Sequence, residues 1–488
     1  MHQSYISKGL VCLMVAALFV VPAAHNLNLD EKSIHYLSVT DTTNQHYGCI
    51  SIAEYDVPEA DISGADLAPK TASAGATPPV WDWRNATVDG VRGDWMTDAK
   101  SQGGCGSCWG FAAIGALEAM VNIRAGNPEL DVDLSEQYLL SCPSNSGGCR
   151  GWNAWWAYRY LRDNGGAITD SCFPYFANDN IPCPDKCSDW RNTLYPVTEY
   201  DGMSRPEREE IKAMLVSHGP LVAEMAVMDG FGSYDGGVYE HPGEESTRDI
   251  NHQVVIVGYD DDLECWIVKN SWGDTWGENG YFRIAYGDCQ MEHFLISVDT
   301  SPVIARAGGP YFTGVSQPVT FDGGKSVGFI APIVSYSWDF DDGETATGKT
   351  ASHAYAEEGK YYAELSVTDA AGNTATCTTL VYVDSSPPEV NLTRPERGSF
   401  YFFDQHRGIP LGVVIIGTVT VQGSAEDALS GLERIEYYLD GELVISTDEP
   451  SFEQEWADAP FGFHLLEVQA YDAAGNVGTD KAWVFAWM

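Results

Sequence analysis

The chain has 488 residues, of which 44% are hydrophobic and 12% aromatic, so it is too long for one ordinary domain and too apolar for a disordered chain. Its formal net charge is −43 at pH 7, from 70 acidic and 27 basic side chains. This charge excludes nucleic acids and anionic membrane surfaces from the expected partners, because both are bound by patches of Lys and Arg.

Residues 1–24 have the pattern of an export signal. Lys8 precedes an apolar run at 9–21 that is short for a membrane span, and Ala23 and Ala24 are small residues suited to cleavage. An uncleaved N-terminal anchor is the alternative interpretation. We expect a signal peptide and a secreted protein, in which disulfides are common among the 12 cysteines.

Composition divides the rest of the chain into four segments. Residues 25–79 show little periodicity and end in a run rich in Ala, Thr and Pro, so we expect a short pro-region or linker. Residues 80–300 contain most of the cysteines and many of the tryptophans. Breaks rich in Gly, Ser and Pro follow this segment, and they predict two further domains at 304–384 and 387–488.

The stretch QGGCGSCWGF at 102–111 places Cys108 where a glycine-rich loop meets a helix. Apolar residues recur at helical spacing from Phe111 onward, and Gly126 is suited to end the helix. The partial positive charge at a helix N-terminus stabilises a thiolate and lowers the pKa of the thiol. We therefore predict that Cys108 is a nucleophile. The alternative is a disulfide between Cys108 and Cys105, as in redox motifs.

A candidate base follows much later in the chain. His252 begins an apolar run that predicts a buried strand, and the next predicted strand, 266–269, ends at Asn270. An Asn side chain can accept the far ring N–H of a histidine and so orient it, and Trp272 would cover that bond from water. In isolation, His252 would be interpreted as a core histidine with its hydrogen bonds satisfied.

Together these motifs resemble the papain and cathepsin family of cysteine proteases. The sequence CGSCW at 105–109 matches the signature of that family, and His252 and Asn270 follow Cys108 by 144 and 162 residues (252−108 and 270−108). Further matches are WDWR at 81–84, LSEQ at 134–137 and NSWGDTWGENGYF at 270–282. The resemblance covers residues 80–300.

The resemblance implies a two-lobe α+β domain, with a helical lobe and a β lobe meeting at a cleft. Cys108 would attack the scissile carbonyl, and His252 would form an ion pair with it and protonate the leaving amine. Asn270 would orient His252. Gln102 and the backbone N–H of Cys108 would stabilise the oxyanion. The family uses no metal or organic cofactor, and its substrates are polypeptides.

The resemblance also implies disulfides Cys105–Cys149 and Cys142–Cys183, and Cys172–Cys187 would then close a small loop. Whether Cys265 and Cys289 pair stays open, as does a partner for Cys49. Cys377 is expected to be a buried thiol on a strand.

Two departures from the family pattern concern specificity and control. The family usually has Cys-Asn-Gly-Gly where this chain has CRGW at 149–152. Because the bulk of Trp152 would reshape the S2 pocket, the sequence does not predict the subsite preference. The segment at 25–79 lacks the long charged helical pattern of an inhibitory pro-region, so its mode of control is not predicted either.

The two C-terminal segments consist of short alternating runs separated by Gly, Asp and Asn, which is typical of all-β sandwiches. Runs such as 361–367 and 465–470 predict strands, and 483–487 predicts a final strand. The pentapeptide DAAGN occurs at both 369–373 and 472–476. We expect hairpin turns there, in which Gly and Asn accept positive φ.

Residues 304–384 resemble a polycystic-kidney-disease (PKD) domain through IVSYSWDFDDG at 333–343. Residues 387–488 resemble bacterial Ig-like modules through IEYYLDGEL at 435–443. In the first motif, Asp339, Asp341 and Asp342 are either calcium ligands or parts of a solvated turn. We expect the modules to attach the protein to a cell surface, a polysaccharide or a protein, with inert spacing as the alternative.

These features predict a papain-like domain followed by two immunoglobulin-like sandwiches, in a secreted monomeric cysteine endopeptidase. Endopeptidase activity is favoured because the sequence shows no inserted His-bearing loop that would block one end of the cleft. One alternative is a secreted binding or adhesion protein with an inactive protease-like domain. Another is a related Cys–His transferase that joins acyl groups to amines.

Overall fold

The computed structural model describes residues 77–243, 246–407, 413–457 and 460–487. The predicted signal peptide, the predicted pro-region up to residue 76, and Cys49 lie outside these ranges. Among the helices of the described ranges, none combines the length and the apolar composition that a membrane span needs.

Residues 77–299 form a first domain with a helical lobe and a β lobe. Its α-helices are α1 (Cys108–Ala125), α2 (Glu136–Ser141), α3 (Ala154–Asp163) and α4 (Arg208–Ser217). Its strands are β1 (Val80–Asp82), β2 (Ala86–Val88), β3 (Val91–Gly93), β4 (Glu199–Ser204), β5 (Leu221–Met225), β6 (Val238–Tyr239), β7 (His252–Asp260), β8 (Cys265–Lys269), β9 (Tyr281–Ala285) and β10 (Phe294–Asp299). The main sheet has the order β4-β10-β5-β7-β8-β9-β6, and β1 pairs with β7.

Helix α1 lies between the two lobes, and this position explains its composition. Apolar residues lie all round it, and nearly every side chain is buried, which is the pattern of a helix packed on all sides. Val255 and Val257 of β7 belong to the same core as α1. As predicted, the helix ends at Gly126, which has the left-handed φ of 62°.

Strand β7 is apolar in consecutive positions because both of its faces are covered. Val255 and Val257 face the helical lobe, whereas Val254 and Ile256 belong to the separate core of the β lobe. Antiparallel pairing with β5 and β8 holds the strand in the centre of the sheet. The strand predicted after His252 therefore forms where the sequence places it.

Residues 303–383 form the first sandwich. Its strands are β11 (Val303–Ile304), β12 (Tyr311–Thr313), β13 (Val319–Asp322), β14 (Val327–Gly328), β15 (Ile333–Asp339), β16 (Thr345–Thr347), β17 (Thr350–His353), β18 (Gly359–Asp369) and β19 (Thr374–Val383). The larger sheet has the order β12-β19-β18-β15-β16, and β13 pairs with β17. Its core contains Phe321, Trp338, Phe340 and Tyr355.

Residues 389–487 form the second sandwich. Its strands are β20 (Glu389–Arg394), β21 (Phe400–Phe402), β22 (Gln405–His406), β23 (Val413–Ile416), β24 (Val419–Glu426), β25 (Leu432–Leu439), β26 (Glu442–Thr447), β27 (Ser451–Trp456), β28 (Gly462–Asp472) and β29 (Val477–Trp487). The sheets have the orders β20-β24-β27 and β22-β21-β23-β29-β28-β25-β26. The fold is thus an α+β two-lobe domain followed by two all-β sandwiches, as the sequence predicts.

The repeated pentapeptide forms the turns of the β18–β19 and β28–β29 hairpins. Gly372 and Gly475 have φ of 91° and 90°, as expected. The expectation of positive φ at the two asparagines is wrong. Asn373 and Asn476 instead donate their side-chain amides to Asp369 and Asp472, both at Oδ2 and at 2.9 and 2.8 Å, which closes the turn through side chains.

The disulfides Cys105–Cys149, Cys142–Cys183 and Cys172–Cys187 have the pairing that the family resemblance implies. Cys265 and Cys289 are both buried thiols. Cys377 lies on β19 as predicted, but it is half-buried rather than buried. It packs against the margin of the sandwich core, beside Arg306, rather than within the core.

The three aspartates of the 333–343 motif make the contacts of a turn. Asp339 accepts from the backbone of Asp341 at 3.0 Å, and Asp342 accepts from the backbone of Glu344 at 3.0 Å. Asp341 accepts from the backbone of Tyr362 at 2.9 Å. These bonds give each carboxylate a role in local structure, in line with the turn interpretation.

Candidate active site

Cys108 is the first residue of α1 and is fully buried. The loop before it is held by the Cys105–Cys149 disulfide and by a hydrogen bond from the Gly106 N–H to the Cys149 carbonyl at 3.0 Å. Because Cys108 begins a helix of 18 residues, its thiol lies at the positive end of the helix dipole. The local sequence thus brings the thiol to a position that favours a thiolate.

His252 is the first residue of β7 and is also fully buried. Its Nε2 lies 2.8 Å from Oδ1 of Asn270, which directly follows β8. The backbone N–H of Ser271 donates to the same Oδ1 at 2.9 Å, so the oxygen of the amide faces the ring. This fixes Nε2 as the protonated nitrogen of a neutral His252, since a carboxamide oxygen only accepts.

Burial lowers the pKa of His252 to about 4, and the hydrogen bond with Asn270 opposes that shift. A ring in this environment therefore favours the neutral form at neutral pH. A thiolate nearby would favour the charged form. The protonation of His252 must consequently depend on the ionisation of any thiol that faces it.

Packing brings the start of β7 to the start of α1. Ile250, two residues before His252, packs against Cys108. The backbone N–H of Asn251 donates to the Met225 carbonyl at the end of β5 at 3.1 Å, and its side chain accepts from the Val227 N–H just beyond that strand at 2.9 Å, so this turn is anchored to the end of β5. Residues that are 144 positions apart (252−108) are thereby placed at adjoining ends of a helix and a strand.

An aromatic cluster covers the histidine. The rings of Trp272 and His252 lie 5.2 Å apart and are tilted by 35°. Trp272 in turn packs on Phe231 and Trp276, at 5.4 and 4.8 Å. The aromatic cluster comprises Phe231, Tyr234, Tyr239, Trp272, Trp276 and Phe282. The structure shows the contact of Trp272 with the ring of His252, and the shielding of the His252–Asn270 bond from water stays a prediction.

Gln102 is buried and links the two lobes. Its backbone N–H donates to the Ser271 carbonyl at 2.8 Å, and Ser271 Oγ donates to Gln102 Oε1 at 2.6 Å. Its Nε2 donates to the Cys105 carbonyl at 2.9 Å. The amide nitrogen therefore points toward the loop that leads to Cys108, and it carries two hydrogens.

Tyr175 is a site residue that sequence analysis missed. Its hydroxyl donates to the Gln102 carbonyl at 2.8 Å and lies 2.7 Å from Ser107 Oγ. Its ring packs edge-on against Phe111 at 4.8 Å, and burial raises the pKa of the phenol to about 12. The residue braces both sides of Cys108, yet it follows Cys108 by 67 positions (175−108), with no local pattern to mark it.

A buried polar network behind Asn270 was also missed. Lys269 Nζ donates to Thr97 Oγ1 at 2.9 Å, and Thr97 donates to Glu118 of α1 at 2.5 Å. Glu118 also accepts from Lys100 at 2.8 Å. Burial lowers the pKa of Lys269. The network ties the residue before Asn270 to the helix that begins at Cys108, so it holds the two halves of the site in register.

Trp152, where the sequence departs from the pattern of the family it resembles, turns its bulk into the helical lobe. Its ring packs edge-on against that of Trp109 at 5.2 Å, and both side chains are buried. Next to it, Asn153 donates to Glu224 at 2.9 Å, and Gln253 accepts from the Ala154 N–H at 2.9 Å. Polar side chains therefore join α3 to β5 and β7 beside His252.

Three family models match the chain in succession. They are the papain family cysteine protease at residues 77–298, the PKD domain at 299–383 and the bacterial Ig domain at 388–476. The order is the one that the sequence motifs predict.

Curated relatives match the first domain. Cathepsin L of Sarcophaga peregrina is 37% identical over 225 residues, covering 44% of this chain and 64% of that protein. Digestive cysteine proteinase 1 of Homarus americanus is 34% identical over 255 residues, covering 50% and 72%. The oryzain gamma chain of Oryza sativa subsp. japonica is 36% identical over 220 residues, covering 44% and 57%. This chain thus spans between 57% and 72% of the length of these three proteins.

Among solved structures, a digestive procathepsin L2 proteinase from the larval midgut of Tenebrio molitor is similar to this chain. It is 30% identical with a TM-score of 0.42, and the match covers 52% of this chain and 84% of that one.

Proposed function

This chain belongs to the papain family of cysteine proteases, and on that premise we propose that it is a cysteine peptidase that hydrolyses polypeptides through Cys108 and His252. The observation that supports this most directly is the arrangement of the site. A thiol at the N-terminus of α1 packs against the turn that leads to His252, while the ring of His252 is held by Asn270 at 2.8 Å. A nucleophile, a base and a residue that orients the base are the elements of covalent acyl transfer.

Ionisation of Cys108 and protonation of His252 are coupled in this proposal. Burial disfavours a charged His252, and the thiolate is a charge opposite to it that makes the imidazolium stable. The helix N-terminus stabilises the thiolate side of the pair. The two charges therefore form together, as an ion pair, in a site that the aromatic cluster shields from water.

The reaction then proceeds in two steps. The thiolate sulfur attacks the carbonyl carbon, the C–N bond breaks, and His252 gives its proton to the leaving amine. This leaves an acyl thioester on Cys108 and a neutral ring. His252 takes a proton from water, the hydroxyl group bonds to the acyl carbon, and the C–S bond breaks to release the acid and regenerate the thiolate.

We assign Gln102 and the backbone N–H of Cys108 as donors to the oxyanion. The amide nitrogen of Gln102 is oriented toward the Cys108 loop, because Ser271 occupies the amide oxygen. Removing one oxyanion donor costs about 3 kcal/mol of transition-state stabilisation, or about 10²-fold in rate. Gln102→Ala should therefore lower kcat with little change in KM.

We further propose that the protein acts outside the cell as an endopeptidase, with the two sandwiches attaching it to a surface or to substrates. The disulfides of the first domain support an oxidising compartment. The rival proposal, a binding protein with an inactive protease-like domain, is less favoured because the sequence retains the complete set of Cys108, His252, Asn270 and Gln102.

The test is hydrolysis of unfolded casein and of a short fluorogenic peptide by the mature protein under reducing conditions. Cys108→Ala should lower both rates by about 10⁴-fold or more. Cys377→Ala is the matched control, because it removes a thiol of the first sandwich and should leave both rates unchanged. Equal activity of Cys108→Ala and the unmodified protein would disprove the role of Cys108.

Two further outcomes separate the alternatives. Release of terminal dipeptides alone from casein would favour an exopeptidase. Formation of an acyl-amine product when a primary amine is added, with little free acid, would favour the acyl transferase.

A further inference from the structure

The second sandwich exposes large aromatic side chains on one side of its seven-stranded sheet. Along β29, Ala482, Val484 and Ala486 are buried in the core, whereas the alternate residues Trp483, Phe485 and Trp487 point the other way. The exposed fractions are 45% for Phe402, 71% for Phe461, 74% for Phe463, 65% for Trp483 and 60% for Trp487. Small residues thus fill the core at this end, and aromatic residues face solvent.

The register of the strands joins these side chains into one surface. Phe463 on β28 is directly opposite Phe485 on β29, and Trp487 is opposite Ile416 on β23. Ile416 is in turn opposite Phe402 on β21. Because paired residues share a face, the surface crosses four neighbouring strands. We name it the aromatic face, comprising Phe402, Ile416, Phe463, Trp483, Phe485 and Trp487, with Phe461 at its margin.

Single exposed apolar residues are common, but a contiguous set of this kind marks an interaction surface. Aromatic side chains are also the commonest anchors of binding energy, because they bury a large area with little loss of rotamer freedom. The aromatic face is therefore a candidate binding site, separate from Cys108 and His252.

The arrangement of the rings favours side chains over flat ligands. Phe461 and Phe463 meet Phe485 at interplanar angles of 84° and 69°, and Phe461 meets Trp487 at 89°. Rings at right angles form ridges and notches, into which single apolar side chains can insert. A sugar ring would instead stack on a flat, open platform, which this edge-to-face arrangement does not provide.

The net charge further limits the chemical class of partner that the aromatic face can bind. A net charge of −43 opposes the approach of an anionic lipid surface and of a second copy of the chain, and it attracts basic polymers.

Beside the aromatic face, the same side of the sheet presents linked hydrogen-bond donors and acceptors. Gln469 donates to Glu467 at 2.6 Å, Tyr471 donates to Gln469 at 2.8 Å, and Lys481 lies 3.0 Å from Glu467. Because a carboxylate has two oxygens and a carboxamide has two hydrogens, Glu467 and Gln469 can also bond the amides of an extended peptide.

From these observations we infer that the aromatic face binds unfolded polypeptide segments through their apolar side chains, with a preference for basic chains, and so retains protein substrates for the first domain. This inference deepens the proposed function and rests on it for its biological role. Binding itself requires no catalysis, so it can be measured in the Cys108→Ala protein.

The binding experiment compares two full-length proteins, Cys108→Ala alone and Cys108→Ala with Phe463→Ser, Trp483→Ser and Trp487→Ser. The probe is fluorescently labelled lysozyme that has been reduced and alkylated, which is a basic unfolded chain. We expect Kd to rise at least tenfold when the three aromatic residues are replaced. The matched control replaces exposed aromatics of the first sandwich, Phe312→Ser with Tyr362→Ser, and should leave Kd unchanged.

The kinetic experiment uses the same substitutions in a protein with Cys108 intact. KM for the unfolded lysozyme should rise at least tenfold, while kcat/KM for a short peptide that occupies only the cleft should not change. The inference would be overturned if the three aromatic substitutions changed neither Kd in the Cys108→Ala protein nor KM in the protein with Cys108 intact. The inference would also be overturned if the triple variant bound the unfolded lysozyme with unchanged affinity but lost binding to a neutral polysaccharide or to phosphatidylcholine vesicles.

Failure of the proposed function gives a different result. In that case the unmodified protein cleaves neither substrate, yet the difference in Kd is still measurable. Trp483→Ser alone serves as a second variant if the triple variant folds poorly, and it should raise Kd by a smaller factor.

Discussion

In the first domain, Phe231 lies at the centre of the aromatic cluster, with the rings of Phe282, Tyr239 and Trp272 at 4.9, 5.0 and 5.4 Å. In the second sandwich, Phe485 lies between Phe461 and Phe463 at 5.2 and 5.0 Å. The spacings are alike, and most of the pairs meet edge to face. The difference is exposure, because Phe231 and Phe282 are fully buried and the half-buried rings pack against them, whereas Phe461 and Phe463 are 71% and 74% exposed.

Because they differ in exposure, the two sets of aromatic side chains have different functions. The aromatic cluster excludes water from His252, which lowers the pKa of its ring and strengthens the hydrogen bond to Asn270. The aromatic face excludes water only when a partner covers it. Substitutions in the cluster should therefore affect stability and catalysis, whereas substitutions in the face should affect binding alone.

The largest expected effect is on local stability. Phe231→Ala should lower the free energy of unfolding of the β lobe by about 3–5 kcal/mol, because it removes a fully buried ring and leaves a cavity. Hydrogen exchange measures this within the β lobe, where amides of β8 and β9 should exchange at least about 10²-fold faster. Phe461→Ala, at an exposed ring, is the matched control and should change exchange in the second sandwich by less than about threefold. If both substitutions accelerated amide exchange by similar factors, the aromatic cluster and the aromatic face would not differ in their contribution to stability.

The next effect is on the titration of His252. In Cys108→Ala the partner thiolate is gone, so the ring should titrate near pH 4, well below its ordinary pKa. In the unmodified protein the thiolate should hold the imidazolium to a much higher pH. Imidazole nitrogen shifts in NMR spectra measure both values, and equal values would contradict the coupling of the two residues.

The sign of the linked stability change follows from that low pKa. Between pH 6.5 and about pH 4, the unfolded chain of the Cys108→Ala protein binds a proton at His252 that the folded state does not bind. This group therefore makes the folded state less stable as the pH falls through that window. Adding Trp272→Ala should admit water and bring the pKa back toward 6.5, whereas adding Trp487→Ala should leave it unchanged.

A smaller effect is expected on catalysis when the cover of His252 is removed. Trp272→Ala should lower kcat/KM for a short peptide by about 10²-fold, because the ring of His252 loses the contact at 5.2 Å that helps to hold it. Trp272→Phe should recover most of the rate. Trp487→Ala should have no effect on this substrate, and full activity of Trp272→Ala would show that the cover is dispensable.

Sequence motifs predicted the parts of the site that depend on local order. Helix α1 could be predicted because a glycine-rich loop precedes it and Gly126 ends it, and β7 because its residues are apolar on both faces. Cys108, His252 and Asn270 were proposed from the helix start and the strand pattern and then supported by the family resemblance, whereas Gln102 was proposed from the resemblance alone. Their catalytic roles remain predictions. Cys108→Ala and Gln102→Ala test two of them, and the titration of His252 tests its coupling to Cys108.

Contacts between distant segments could not be predicted in the same way. Tyr175 and Lys269 reach the site through hydrogen bonds to Gln102 and Thr97, which the fold alone brings near them. Nor could the orientation of β29 be foreseen, since WVFAW at 483–487 is apolar at every position. Which of its two faces is buried depends on pairing with β23 and β28, so the final strand was predicted but the aromatic face was not.

The smallest expected effect completes the comparison. Trp483→Ser should change the free energy of unfolding of the second sandwich by no more than about 0.5 kcal/mol, because the ring is mostly exposed and leaves no cavity. Hydrogen exchange of β28 and β29 measures it, with Val484→Ala as the contrasting change in the core beneath. A large loss of stability in Trp483→Ser would mean that the ring supports the fold. Unchanged stability together with weaker substrate binding would mean that the ring is exposed for binding, since it then contributes nothing to the folded state that could account for its position.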